Sequence, residues 1–157
     1  MSKAEQFLDG WLRHRLVVLE VLDQLTDKDV NFQPWEKAMT LGELVTHIVT
    51  VPELFVNAIE QGQLVFPQGQ KPSFSSAAEL RQFAGELTDK TQASIGALSD
   101  EKFEEMIDVS RIFGQPLPGG VLLNAMRDHE IHHKGQLFVY ARMMGAETLP
   151  MYVKATL

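Results

Sequence analysis

Apolar residues recur every three or four positions through four long segments, and this period constrains the fold more than any other feature. The segments span residues 4–26, 41–61, 77–98 and 120–144. Such spacing places apolar side chains on one face of an α-helix. Outside these segments only residues 106–109 resemble a strand, so no sheet is expected. The chain therefore predicts an all-α fold, a four-helix bundle in which the apolar faces are buried against one another.

Polar residues with capping chemistry mark where two of these helices begin. Thr40-Leu41-Gly42-Glu43 and Ser76-Ala77-Ala78-Glu79 each place a hydroxyl three residues before a glutamate, the pattern of a capping box. Gly62 is a typical stop for the second helix. Pro52 lies inside that helix and removes one backbone hydrogen bond, so we expect a kink there. Residues 99–120 are the least regular part of the chain.

Length and composition exclude several classes of protein. A chain of 157 residues with 45% hydrophobic residues predicts one globular domain, residues 1–157. The net charge of −7 disfavours nucleic acid as a partner. There is no apolar run long enough for a membrane span and no signal-peptide pattern, so we expect a cytoplasmic protein without a membrane partner. The absence of cysteine removes thiolate ligands and a cysteine nucleophile.

Histidines are concentrated in the fourth helix, where three of the five occupy positions 129, 132 and 133. His129 and His133 are four residues apart and therefore lie on one helical face, within the apolar stripe. His47 lies on the apolar face of the second helix. Buried imidazoles are costly unless their nitrogens have partners. We therefore predict that His47, His129 and His133 bind one divalent metal ion and leave coordination positions open, as in catalytic sites.

Other polar residues near this motif are candidates for acid–base chemistry. Glu130, His132 and Tyr140 are the candidates for a general acid or base, although sequence alone does not assign the role. His132 lies at the edge of the apolar stripe, and we expect it to support the ligands or to face solvent. His14, between two arginines of the first helix, is predicted to be solvated.

Two other metal motifs fit only in part. Residues 129–133 match H-E-x-x-H, in which Glu130 would be the general base of a metallopeptidase. The extended motif needs glycine and histidine where this chain has Gln136 and Val139, and the only later carboxylate, Glu147, follows the helix stop. A di-iron site needs two Glu-x-x-His pairs, and only Glu130 with His133 forms one. We therefore disfavour both.

Residues 40–48, Thr-Leu-Gly-Glu-Leu-Val-Thr-His-Ile, and residues 129–137, His-Glu-Ile-His-His-Lys-Gly-Gln-Leu, resemble the DinB/YfiT-like superfamily of metal-binding bundles. Residues 149–152 are similar to the usual ending of that family. The resemblance implies an up-down-down-up bundle and a zinc or nickel ion on His47, His129 and His133, completed by water. It also implies a homodimer. Some members are transferases that use a low-molecular-weight thiol as a cofactor.

Two functional hypotheses follow. The first is a metal-dependent enzyme that acts on a small molecule, either a thiol S-transferase or a hydrolase. The second is a non-catalytic stress protein that binds a metal or a small ligand. A homodimer is also suggested by Ile131 and Phe138, which lie opposite the histidine stripe, unless residues 99–120 or the C-terminal tail cover them.

Overall fold

The computed structural model describes residues 1–157 and is predominantly helical, which confirms the predicted helical class. The long helices are α1 (Lys3–Leu22), α2 (Leu41–Gln61), α3 (Ala77–Gly96) and α6 (Gly119–Met143). The short elements are a 3-10 turn (Asp27–Asp29), α4 (Asp100–Glu104), β1 (Met106–Ile107), α5 (Ser110–Phe113) and β2 (Leu117–Pro118). None of the helices combines the length and the hydropathy needed to cross a lipid bilayer.

The predicted capping box of α2 is present in full. The Thr40 hydroxyl accepts a hydrogen bond from the backbone N–H of Glu43 at 3.1 Å, and the Glu43 carboxylate accepts one from the N–H of Thr40 at 2.7 Å. At the start of α3, the Ser76 hydroxyl accepts from the N–H of Glu79 at 3.2 Å. These bonds satisfy amides that have no partner within the helix.

The first helix ends at Leu22, four residues before the predicted end at residue 26. Local side-chain bonds explain the difference, because the Asp29 carboxylate accepts from both the backbone N–H and the hydroxyl of Thr26, at 2.8 and 2.9 Å. This contact starts the separate 3-10 turn that follows α1. Apolar periodicity cannot reveal such a break, because Leu25 stays buried after the helix has ended.

The four long helices pack in a closed ring of neighbours. α2 lies against α3 and α6, and α1 lies against the same two helices. Two apolar clusters fill the space between them. The first contains Val17, Val18, Val21 and Leu22 of α1 with the first half of α2. The second contains Phe7 and Trp11 of α1 with the second half of α2. Arg15 falls between the two sets in α1 and is fully buried.

Arg15 contacts all three of the other long helices. Its Nε and Nη2 atoms donate to the two carboxylate oxygens of Glu130 in α6, at 2.6 and 2.9 Å. Its Nη1 donates to the Thr88 hydroxyl in α3 at 3.1 Å, and its Nη2 also donates to the Ile48 carbonyl in α2 at 3.3 Å. Trp11 Nε1 donates to the same Glu130 carboxylate at 2.8 Å. The two-point contact is the strong form of an arginine–carboxylate pair.

Pro52 explains why the Ile48 carbonyl is available to Arg15. In an α-helix the carbonyl of residue 48 accepts from the N–H of residue 52, and proline has no N–H. The Arg15 guanidinium takes the place of that missing donor. α2 continues through Pro52 as one element from Leu41 to Gln61.

Residues 99–120 form two short helices and a small β-ladder, where sequence alone suggested at most one strand. β1 pairs antiparallel with β2, and Ile107 lies opposite Leu117. Asp108 is bonded through its backbone to Gly62 and Leu64, both at 3.0 Å, which attaches this segment to the end of α2. Gly119 is required where α6 begins, since a Cβ atom there would lie 2.1 Å from the Lys102 carbonyl oxygen.

The apolar face that suggested a dimer is partly covered by the chain itself. Phe138 is only 8% exposed and belongs to the first apolar cluster, and the Arg142 guanidinium lies 5.7 Å from the centre of its ring. Ile131 is half-buried. Phe138 therefore does not lie on an open face of α6, because this side of the helix packs against α1.

We predict that Glu130→Gln lowers the free energy of unfolding by about 3–5 kcal/mol, because it leaves the buried Arg15 charge uncompensated. Urea denaturation measures this. The matched control is Glu20→Gln, which removes an exposed ion pair with Lys154 and is expected to cost less than about 1 kcal/mol. Equal midpoints for the two variants would contradict the central role of the Arg15–Glu130 pair.

Candidate metal centre

α2 and α6 bring the three predicted histidines together. His47 projects from α2, and His129 and His133 project from one face of α6, four residues apart. The Nε2 atoms of the three rings lie 3.1 Å from one another in every pair. These atoms form the one histidine cluster with metal-binding geometry, and all three residues are half-buried.

Hydrogen bonds alone cannot satisfy this triangle of nitrogens. Each Nε2 atom carries either a hydrogen or a lone pair, and a stable contact needs one of each. Three mutually adjacent atoms cannot alternate between two states, so at least one pair presents two hydrogens or two lone pairs to each other. A cation that accepts all three lone pairs removes this conflict.

The spacing also fits a divalent ion. For nitrogens about 2.0–2.1 Å from a metal, a separation of 3.1 Å corresponds to an angle of about 95–100° at the metal. That value lies between the octahedral and tetrahedral angles. The three ligands would occupy one side of the ion, which leaves positions for water or substrate on the other side.

The environment keeps His47 and His129 in the neutral form that binds metal. Burial, with smaller contributions from the neighbouring His133, His47 and His132, lowers the pKa of His129 to about 4. Burial also lowers the pKa of His47, with smaller contributions from His133 and Lys71. The Nδ1 atom of His129 is buried and has no hydrogen-bond partner.

Gln136 fixes the tautomer of His133. Its side-chain oxygen accepts a hydrogen bond from Nδ1 of His133 at 2.7 Å, which leaves a lone pair on Nε2. The Gln136 amide nitrogen lies 3.4 Å from Nε2 of His132. Sequence analysis assigned no role to Gln136, although its position three residues after His133 places it on the same helical face. Such supporting contacts raise the affinity of metal sites.

The three candidates for acid–base chemistry occupy different environments. Glu130 is fully buried, and its carboxylate is bonded to Arg15 and Trp11. The Tyr140 hydroxyl donates to the Met39 carbonyl at 3.0 Å, and the residue is 7% exposed. His132 is exposed and packs on His133, with ring centres 4.8 Å apart. His132 alone therefore retains a polar group open to solvent, and the position of Glu130 argues against the metallopeptidase hypothesis.

His14 is not solvated as predicted. It is half-buried, and its Nδ1 atom accepts a hydrogen bond from the nearly buried Lys134 ammonium at 2.7 Å. Lys134 also donates to the Tyr152 carbonyl, and Arg13 binds the Ala155 carbonyl at 2.7 Å. These contacts hold the C-terminal tail against α1 and α6. Burial lowers the pKa of His14, as does the positive charge of Lys134.

A cavity of about 370 Å³ opens beside the metal-ligand cluster, and His47 forms part of its wall. Its other residues come from the turn before α2, the first turns of α2 and the loop before α3. A second cavity of about 480 Å³ lies between the end of α1 and the end of α6, and its lining includes none of the three histidines. The smaller cavity is therefore the candidate for a substrate site.

We predict that the chelator-treated protein loses stability as the pH falls from about 6.5 towards 4. The pKa of His129 is depressed from 6.5 to about 4, so its neutral form stabilises the fold fully above pH 6.5, and that contribution is lost on acidification through pH 4. Urea denaturation midpoints at several pH values measure how the stability of the chelator-treated protein changes with pH. His129→Gln should flatten the curve in this window, and an unchanged slope in that variant would contradict the assignment.

Comparison with known proteins identifies the family. The family model described as the DinB family matches residues 1–157. Over 152 residues the chain is 36% identical to Bacillus subtilis YjoA, covering 97% of each protein. It is 24% identical to B. subtilis YrdA, covering 94% of this chain and 87% of that protein.

Solved structures agree with this family match. The crystal structure of B. subtilis YjoA, a DinB-like protein, aligns with a TM-score of 0.83 and 34% identity over 95% of this chain and 99% of that one. A DinB-like protein from Bacillus cereus aligns with a TM-score of 0.77 and 24% identity, over 94% of this chain and 95% of that one, which supports the fold alone. By its sequence over the full length and by its structure, the chain belongs to the DinB family.

Proposed function

We propose that His47, His129 and His133 bind one divalent metal ion, zinc or nickel, and that the protein is a metal-dependent enzyme acting on a small molecule. The observation that carries this proposal is the triangle of Nε2 atoms, each 3.1 Å from the other two. Three protein ligands on one side of an ion leave room for a reacting ligand, as in catalytic metal sites.

When bound, the metal would supply a Lewis acid that lowers the pKa of a water or thiol ligand towards neutrality. The protein's own residues prepare the site: Gln136 orients His133, and burial lowers the pKa values of His47 and His129, which favours their neutral form. Exposed His132 is the candidate for proton transfer. We propose, from the resemblance to the thiol-dependent members of the superfamily, that a low-molecular-weight thiol supplies the nucleophile in a transferase reaction, and the absence of cysteine from the chain is consistent with this. Water would take this role in a hydrolase.

A non-catalytic metal- or ligand-binding role is the second candidate. It is favoured by the engagement of Glu130 and Tyr140, whose polar atoms are already bonded within the protein. The two candidates differ in turnover: an enzyme consumes a small-molecule electrophile or ester, whereas a binding protein only retains the metal or ligand.

We infer that residues 1–157 form one domain, with the long helices in the up-down-down-up order. α1 and α6 run in the same direction, because Phe7 contacts Arg127 and His14 contacts Lys134. α2 runs opposite to α6, because Met39 contacts Tyr140 and His47 contacts His133. α1 runs opposite to α3, because Leu22 contacts Arg81 and Leu8 lies against Gly96. A homodimer stays a prediction, without the contribution once expected from Phe138.

We predict that the purified protein contains about one divalent metal ion per chain, and that His133→Ala loses most of it. Elemental analysis by inductively coupled plasma measures the content. His132→Ala is the matched control, since it removes the exposed neighbouring imidazole and should retain the metal. Gln136→Ala should weaken metal affinity by about tenfold or more. Full occupancy in His133→Ala would remove this residue from the site.

Any catalysis is expected to require the metal. We predict that chelation or His47→Ala abolishes conjugation of a low-molecular-weight thiol to an electrophile, because the bound metal would be the group that lowers the pKa of the thiol towards neutrality. His132→Ala should retain thiol binding but lower the maximal rate if it transfers protons. Metal-replete protein without turnover on thiols or esters would favour the binding role instead. Glu130→Gln is a poor activity test because the residue stabilises the fold.

A further inference from the structure

The cavity beside His47 has an unusual lining for so acidic a protein. Two lysines, Lys37 and Lys71, line it from different segments, one in the turn before α2 and one in the loop before α3. The one carboxylate in the lining is that of Glu43. The chain as a whole has a net charge of −7. The lining of this cavity therefore has the opposite sign to the rest of the protein.

The charges of the two lysines are not neutralised by carboxylates. Neither Lys37 nor Lys71 forms an ion pair, in contrast to four lysines elsewhere, namely Lys3, Lys90, Lys102 and Lys154. Glu43 forms no ion pair with either lysine, and its carboxylate instead accepts a hydrogen bond from the backbone N–H of Thr40 at 2.7 Å in the capping box. That carboxylate offsets the positive end of α2.

Lys37, Lys71 and His47 line the same cavity. His47 is the one member of the histidine cluster in that lining. A ligand in this cavity would therefore have both ammonium groups and one of the proposed metal ligands in its wall. A cavity of about 370 Å³ suits a small molecule and excludes a folded partner.

We propose that this cavity binds the anionic group of a small substrate, a carboxylate or a phosphate, and that Lys37 and Lys71 determine this specificity. The proposal rests on the proposed function, in which the other end of the substrate reaches the metal. Unpaired ammonium groups around a concave surface attract anions and orient them without a fixed geometry. A neutral analogue of the same shape would lose the attraction to the two ammonium groups and keep its other contacts with the cavity.

The test compares two thiols that differ in one charge. Zinc-loaded protein is titrated calorimetrically with 3-mercaptopropionate and with the neutral 3-mercaptopropionamide. The Lys37→Gln/Lys71→Gln double variant is expected to bind the carboxylate about fivefold to tenfold more weakly, the sum of two partly exposed charge contacts, and to bind the amide unchanged. Raising the salt concentration should reproduce part of this loss in the unmodified protein.

The matched control is Lys28→Gln. Lys28 also lacks an ion pair and lines a cavity, but that cavity lies at the ends of α1 and α6. Substitution of Lys28 changes the net charge of the protein without altering the proposed site. The affinities for 3-mercaptopropionate and for 3-mercaptopropionamide should therefore both remain unchanged. Competition by inorganic phosphate against acetate identifies the preferred anion: stronger competition by phosphate assigns a phosphate group, and the reverse assigns a carboxylate.

Several outcomes would overturn the proposal: no binding of 3-mercaptopropionate, equal weakening of both thiols, no weakening in the double variant, or the same weakening in Lys28→Gln. The proposed function is tested separately in cobalt-loaded protein, where a thiol bound to the metal changes the visible absorption. If lysine-dependent binding occurs without that change, the anion site stands and the thiol chemistry fails. If the visible absorption changes but the affinity for the thiol does not depend on the two lysines, the thiol chemistry stands and the anion site fails.

Discussion

The Arg15–Glu130 ion pair is the contact on which the arrangement of the long helices depends. One guanidinium from α1 is bonded to α6, α3 and α2 at once. A buried charge of this kind is tolerated only when its donors are satisfied, so each helix must present its acceptor at a defined rotation and height. Apolar packing alone would allow small rotations of the helices. The ion pair therefore fixes which face of α6 is directed at α1.

The rotation of α6 also directs the histidines. Along α6, His129 and His133 form one pair with four-residue spacing. Glu130 and Lys134 form a second such pair, one residue further along the chain. Glu130 and Lys134 contact Arg15 and His14 of α1, whereas His129 and His133 contact His47 of α2. On α2 the same guanidinium binds the carbonyl of Ile48, the residue after His47, at the acceptor that Pro52 leaves free. Both helices that carry the three clustered histidines are thus positioned by one side chain of α1.

Sequence reasoning succeeded where periodicity was sufficient and failed where distant residues decide. The helices and the convergence of His47 with His129 and His133 follow from apolar faces and four-residue spacing. The buried pairing of Glu130 was not foreseen, because its partner Arg15 lies 115 positions away in the sequence. Sequence alone left open whether Phe138 is covered, because a helix with two buried sides has no single apolar stripe. Lys37 and Lys71 lie in irregular segments, where no period predicts which side chains meet.

The pairing of Glu130 with Arg15 has an electrostatic consequence for the site. The Glu130 carboxylate is bonded to Arg15 and Trp11, so the proposed metal ligands are three imidazoles, of which His47 and His129 have pKa values lowered by burial. Three neutral ligands leave the double charge of a divalent ion uncompensated. Such a centre favours an anion in its open position, whether hydroxide, thiolate or carboxylate. The unpaired lysines of the adjoining cavity also favour an anionic ligand, because their positive charges stabilise negative charge. The network that fixes the helices therefore also leaves the proposed site in need of an anionic ligand.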